Sequence, residues 1–258
     1  MSAPEVDTKL LLWAGRQKAA AAARSRLHRF GPAVVRDADD QPVEFDLLRL
    51  AWVAHLEYCW GQNLHAGIRS PRGSRAFVAV LVAWLMGRDP NARIKLVCAN
   101  DANARVGFKS VKAVATTSAY GFIFPGASMA GRWADRMVFA EEGGLAQEPA
   151  AEACGLSSKP VGSTTTHLIL DHATGPATSE TTSQAVEKHW LANLQPGARV
   201  LWVGGSGVGD EASYSLRARP DFVWLDQHLE ESGYRQEIYG AQPDYLAVTQ
   251  ENILSMIR

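Results

Sequence analysis

Apolar positions along this chain follow two rhythms. In 8–30, TKLLLWAGRQKAAAAARSRLHRF, and in 44–63, EFDLLRLAWVAHLEYCWGQN, they recur at helical spacing; in the second stretch Leu47, Leu50, Ala51, Ala54 and Tyr58 share one face. From residue 64 the rhythm changes. Short unbroken apolar runs, LHAGIRS (64–70), RIKLVCAN (93–100), HLILD (167–171) and ARVLWVGG (198–205), read as strands. Between them VAVLVAWLMG (78–87), DANARVGFKSVKAVATTS (101–118) and SETTSQAVEKHWLANL (179–194) read as helices. Strands alternating with helices predict an α/β fold with a mostly parallel sheet. Continuously apolar strands fit a sheet buried on both faces. RDADDQP (36–42) reads as a polar turn, and DFVWLDQHLEESG and RQEIYG (221–240) follow the last of these strands. The Gly-, Ala- and Ser-rich segment 126–166 gives no readable pattern.

Composition narrows the picture further. With 258 residues, 47% hydrophobic and 21% charged, the chain can bury a sizeable core. A net charge of −1 excludes a protein that binds nucleic acid by its overall charge. Arg16, Lys18, Arg24, Arg26 and Arg29 make the first helix basic, which suits either a solvated face or an arm that binds nucleic acid or a partner. Cys59, Cys98 and Cys154 lie far apart with no CxxC pair, so neither a disulfide framework nor a zinc site is expected. The longest apolar run, Phe77 to Met86, is about half of a membrane span.

Three stretches carry candidate chemistry. The first is RSPRGSRAF, Arg69 to Phe77, a glycine-containing turn between a strand and a helix, which is where backbone N–H groups cradle phosphates. A Walker A loop ends Gly-Lys-Ser/Thr, and aligned on its end those places hold Arg75, Ala76 and Phe77. Ala76 cannot neutralise phosphate charge and Phe77 has no oxygen for magnesium. Each lost charge-assisted contact costs about 1.5–3 kcal/mol. Arg69, Arg72 and Arg75 are guanidiniums that can compensate in part. The second stretch, THLILDHA, sets Asp171 at the end of an apolar strand, as a magnesium-holding Walker B acid requires, with His172 where a second acid would polarise water. The third, VLWVGGSGVGDEAS, places Gly205, Gly207 and Gly209 after a strand, and Asp226 follows about 20 residues later. That spacing also suits an adenosyl-methionine or dinucleotide enzyme.

Taken in order, these segments resemble the ATPase domain of the large terminase subunit, the DNA-packaging motor of tailed bacteriophages. The resemblance rests on RSPRGSRAF, VAWLMGRDPNARIKLVCANDANA, GLSSKPVGSTTTHLILDHA, SETTSQAVEKHWLANLQPGARVLWVGG and LEESGYRQEIYGAQPDY, and covers about residues 43–245. It implies a three-layer, mostly parallel sheet of the P-loop NTPase type (the ASCE group that includes terminases). It divides the chain into a helical arm over 1–42, the ATPase domain over 43–245 and a tail over 246–258, with no counterpart of the nuclease domain. It implies ATP and Mg2+ at Arg69, Ser70, Pro71, Arg72, Gly73, Ser74, Arg75, Ala76 and Phe77. Asp171 would hold the metal, Asp171 and His172 would act in catalysis, and Gly204, Gly205 and Ser206 would couple hydrolysis to movement.

The implied partners are double-stranded viral DNA, a portal protein, a small terminase subunit and further copies of the chain in a ring. The implied location is the cytoplasm of an infected bacterium. In such a ring a neighbour supplies an arginine finger, for which Arg132 and Arg136 are candidates. The departures from the pattern at Ala76, Phe77, His172 and STTTH (163–167) imply weak or absent ATP hydrolysis. A non-catalytic interaction subunit is the alternative within the family.

Overall fold

The computed structural model describes residues 8–36, 41–43, 45–70, 73–127, 133–138, 149–158, 164–173, 184, 186–205, 216–230 and 233–240. Helices α1 (Thr8–Ser25), α2 (Leu27–Val34) and α3 (Leu47–Gly61) precede β1 (His65–Arg69). Then come α4 (Arg75–Arg88), β2 (Ile94–Cys98), α5 (Asp101–Ala115) and α6 (Ser118–Ile123). Strands β3 (Met137–Val138), β4 (Ala151–Gly155), β5 (His167–Asp171), β6 (Arg199–Gly204), β7 (Phe222–Glu230) and β8 (Gly233–Gly240) complete the order.

One sheet holds all eight strands in the order β3-β4-β2-β5-β6-β1-β7-β8. The pairs from β4 across to β7 are parallel, and only the edge pairs β3–β4 and β7–β8 are antiparallel. Successive residues of the central strands enter two different cores. Ile169, Leu201, Val203, Val223 and Leu225 pack with the helices α1 to α6, whereas Leu168, Leu170, Val200, Trp202 and Trp224 form a second cluster with Val186, Trp190 and Leu216. The two-residue alternation of a strand therefore buries both faces, and the fold is α/β with layers on either side of a mostly parallel sheet.

Helix α4 is buried along its whole middle, from Phe77 to Met86, because it lies between the sheet and the outer helices. Its cover includes α1 and α2. Ala20, Ala23, Leu27, Phe30 and Val34 share its core, and the Trp84 indole N–H donates to the Ala23 carbonyl at 3.1 Å. The inward side chains of residues 20–34 are thus part of the main core. The single helix expected over 8–30 breaks at Arg26, whose backbone is extended (φ −132, ψ 118). The helix expected over 179–194 is, where described, a wide π-type turn at Val186–Trp190 followed by a 3₁₀ turn at Leu191–Asn193. Val186 and Trp190 are both buried there, and the Trp190 indole donates to the Leu156 carbonyl at 3.2 Å. Anchoring both side chains inward replaces the regular helical repeat.

The segment 126–166 contributes strands that its composition concealed. In β4, Glu152 lies directly across from Lys95 of β2, and their buried side chains form an ion pair. A carboxylate and an ammonium tolerate the interior when they satisfy each other. Space is equally exacting on the other side of the sheet centre. Gly67 of β1 sits beneath the Trp224 ring, where a Cβ would come within 2.3 Å of ring carbon. Gly67→Ala is expected to destabilise the fold by about 1–3 kcal/mol through overpacking. Chemical denaturation would check it; an unchanged midpoint would show that Trp224 is loosely seated.

Candidate functional site

The parallel strands release their carboxyl ends at one side of the molecule, and Arg69, Ser70, Ser74 and Asp171 are buried there. Strand β1 ends at Arg69. The Ser70 amide then donates to the Gly204 carbonyl at the end of β6, 3.1 Å away, so the chain leaves the sheet along β6. Pro71 and Arg72 lie outside the described residues. The chain returns at Gly73 and enters α4 through Ser74. A serine at a helix N-cap ordinarily accepts a hydrogen bond from its own first turn. Ser74 makes no such bond; its hydroxyl instead donates to Asp171 Oδ1 at the tip of β5.

Strand β6 lies between β1 and β5, so the loop's strand and the Asp171 strand are not neighbours. The intervening strand ends in Gly204 and Gly205, neither of which puts a side chain between Ser74 and Asp171. Ser206 lies outside the described residues. Asp171 is buried, and burial is the main reason its carboxyl is raised above the ordinary carboxylate range; the Ser74 hydrogen bond and the His172 and Arg75 charges pull in the opposite direction. The cross-strand neighbours of Asp171 are Val203 of β6 and Cys98 of β2. Burial, and then the Asp171 charge, push the Cys98 thiol up to about 12, which disfavours the thiolate.

His172 follows with a left-handed backbone (φ 46) and is exposed, its amide donating to the Val203 carbonyl at 2.8 Å. Histidine tolerates this conformation better than most residues. Arg75 and Ala76 are exposed on the first turn of α4. Phe77 is fully buried, its ring edge-on to Trp52 at 5.2 Å and tilted on Phe45 at 6.0 Å. Its place is the core, and the hydroxyl that meets Asp171 belongs to Ser74, three residues earlier. The signal was present in the sequence: the apolar run begins at Phe77, and Ser74 is the last hydroxyl before it.

Two further polar groups flank this centre. Asp101, first in α5, accepts the Gly155 amide at 2.7 Å and the Ser158 hydroxyl at 2.8 Å and pairs with Arg136 at 2.7 Å. The Gly155 amide first, then Ser158, and Arg136 besides, hold its carboxyl below the usual range. Arg136 is thus engaged within its own chain; Arg132 lies outside the described residues. On the other flank, Asp226 of β7 accepts from Arg69 Nη1 and Arg217 Nη2, each at 2.9 Å. Asp226 is separated from Gly205 by β1, and Gly207 and Gly209 lie outside the described residues.

A cavity of about 490 Å3 sits at the opposite end of the sheet, where His167 opens β5 and Arg199 opens β6, so it is not part of the Ser74–Asp171 centre. Among the described residues no helix is long and apolar enough to cross a membrane, and no group of three or more His, Cys, Asp and Glu could hold a metal ion.

No family model and no curated protein matches this sequence. Among solved structures, the large terminase of bacteriophage HK97 superposes with a TM-score of 0.56 at 13% identity, covering 81% of this chain and 45% of that chain. The fold is terminase-like. This chain spans less than half the length of that protein.

The site's buried carboxyl makes a testable demand. Because Asp171 is raised, its ionised form is the costly one in the folded chain, and the stability withheld grows as pH climbs from the ordinary value through the raised one. Asp171→Asn is expected to stabilise the protein at neutral pH by about 0.5–2 kcal/mol, because the amide has no charge to desolvate. Denaturant midpoints at pH 7 would measure it; a lowered midpoint would mean that the carboxylate is a structural asset.

Proposed function

We propose that this chain is a terminase-like nucleotide-binding domain that takes Mg2+·ATP at Ser74 and Asp171, with slow or absent hydrolysis. The observation that carries the reading is the N-cap serine that turns from its helix to the buried Asp171. A hydroxyl from the strand–helix loop and a carboxylate from a nearby strand tip are the two protein donors that a P-loop enzyme offers to magnesium. The donor set fits that ion. Mg2+ keeps several waters and needs only one or two carboxylates besides the nucleotide's phosphates, so a larger protein cluster is not required. Bound with nucleotide, the ion would neutralise phosphate charge.

The chain's own residues do the rest. The α4 N-terminus offers backbone N–H groups to an anion. Arg75 on its first turn acts on the charge of Asp171, and Arg69 stands at the root of the loop. With Ser74 as the hydroxyl donor, the lysine place of the motif falls on Gly73. A Cβ built there meets nothing within 4 Å, so a side chain has room. His172 occupies the place next to Asp171, where a second carboxylate would orient water, and this underlies the proposed slow hydrolysis. The partners that follow from this reading are double-stranded DNA, a portal protein, a small terminase subunit and other copies of the chain.

The test is Mg2+·ATP affinity and turnover of the purified chain, with and without double-stranded DNA, beside two gain-of-charge variants. Gly73→Lys is expected to tighten binding about ten- to a hundredfold, the worth of one charge-assisted contact. Ala76→Lys, displaced along α4, is expected to leave it unchanged. Binding restored by Ala76→Lys alone would move the motif three residues along the chain; no magnesium-dependent binding by wild type or by either variant would remove the nucleotide reading.

A further inference from the structure

Strands β1 and β7 carry a charge cluster in which the nucleotide reading gives Arg69 a place at the loop but assigns no role to Asp226 or Arg217. Arg69, at the end of β1, and Asp226, midway along β7, are direct partners across parallel strands. Their side chains are only 9% and 5% exposed, and Arg69 Nη1 donates to Asp226 Oδ2 at 2.9 Å. Arg217 Nη2 donates to the same oxygen, also at 2.9 Å. Arg217 is itself seated, its guanidinium 5.7 Å from the centroid of the Trp224 ring. Trp224 in turn fits because Gly67 leaves the space beneath it open. A buried ion pair seldom outperforms apolar side chains of the same volume as a source of stability, which directs attention to what these charges hold in place.

What they hold is the root of the loop. Arg69 is the last residue of β1, and the next amide, that of Ser70, is fixed to Gly204. From these two anchors the chain departs toward Gly73 and Ser74. The geometry points to Asp226 as a positioning residue: it holds the Arg69 guanidinium at the root of the phosphate loop, and Arg217 braces Asp226 from the other side. A guanidinium is a planar fork suited to phosphate oxygens, but its long side chain loses freedom when it binds one. Asp226 removes that freedom in advance. This inference rests on the nucleotide reading, and within it Asp226 acts only through Arg69.

Mg2+·ATP affinities of the wild type, Asp226→Asn, Arg69→Ala and the double variant test it, each shown to be folded by its cooperative melt. Asp226→Asn is expected to weaken binding about three- to tenfold, the effect of one freed side chain. In the Arg69→Ala background the same change is expected to add nothing, because the residue it positions is gone. Wild-type affinity in Asp226→Asn, or losses that multiply in the double variant, would overturn the role. Should Asp226→Asn fail to fold, Arg217→Ala takes its place: binding is expected to weaken and to return in Arg217→Lys, and unchanged binding overturns the role. A folded wild type that does not bind Mg2+·ATP would sink the nucleotide reading and this inference together. A wild type that binds, beside variants that bind equally well, would sink this inference alone.

Discussion

A parallel sheet buried on both faces leaves its strand ends as the natural place for polar chemistry. Ile169 faces one core and Leu168 and Leu170 the other, and the same alternation runs through β6 and β7. An unpaired charge in those cores would be costly, so Lys95 and Glu152 are admitted there only as a pair. At the carboxyl ends the alternation stops and side chains of consecutive strands converge. Asp171 and Arg69 stand at such ends, Asp101 follows one closely, and Asp226 lies within β7 level with the end of β1. The switch from apolar strand to polar tip, repeated strand by strand, is what assembles the candidate site.

Within that assembly two opposite electrostatic solutions stand side by side. Asp226 is buried and answered by two guanidiniums. Asp171 is buried and answered by a hydroxyl, with Arg75 and His172 acting on its charge. Burial therefore dominates at Asp171 and lifts its carboxyl, leaving a carboxylate that gains from an approaching cation. The first arrangement suits a group that holds something still. The second suits a group waiting for a ligand.

Much of this was legible in the chain. HLILD gave β5 to the residue, and the runs at 64–70, 93–100 and 198–205 gave β1, β2 and β6 within a residue or two, because uniform apolar runs of that length bounded by polar residues have few other readings. β4 was not legible: AEACG has a charged residue at its second place and little strand propensity, and a Lys95 partner from a distant segment helps make it tolerable. The irregular turn at Val186–Trp190 likewise depends on a tertiary anchor, the Leu156 carbonyl. At the site, the loop and Asp171 were legible as a pair, but the register inside the loop was not. Matching the motif by its end put the hydroxyl at Phe77, which the Trp52 ring claims for the core, whereas Ser74 reaches Asp171. Asp226 drew notice only as the acid spaced about 20 residues after the glycine loop, whereas in the fold it lies within β7 and pairs with Arg69, 157 residues away in sequence and on another strand.

The central claim is that the Ser74 hydroxyl and the Asp171 carboxylate form a magnesium–nucleotide site. The most direct measurement replaces Mg2+ by Mn2+ and follows the bound ion by electron paramagnetic resonance while ATP is titrated into the protein. The account predicts a protein-bound Mn2+ signal that requires ATP in the wild type and is lost in both Ser74→Ala and Asp171→Asn. A bound signal that survives those two substitutions, or a folded wild type that gives none at saturating ATP, would contradict it.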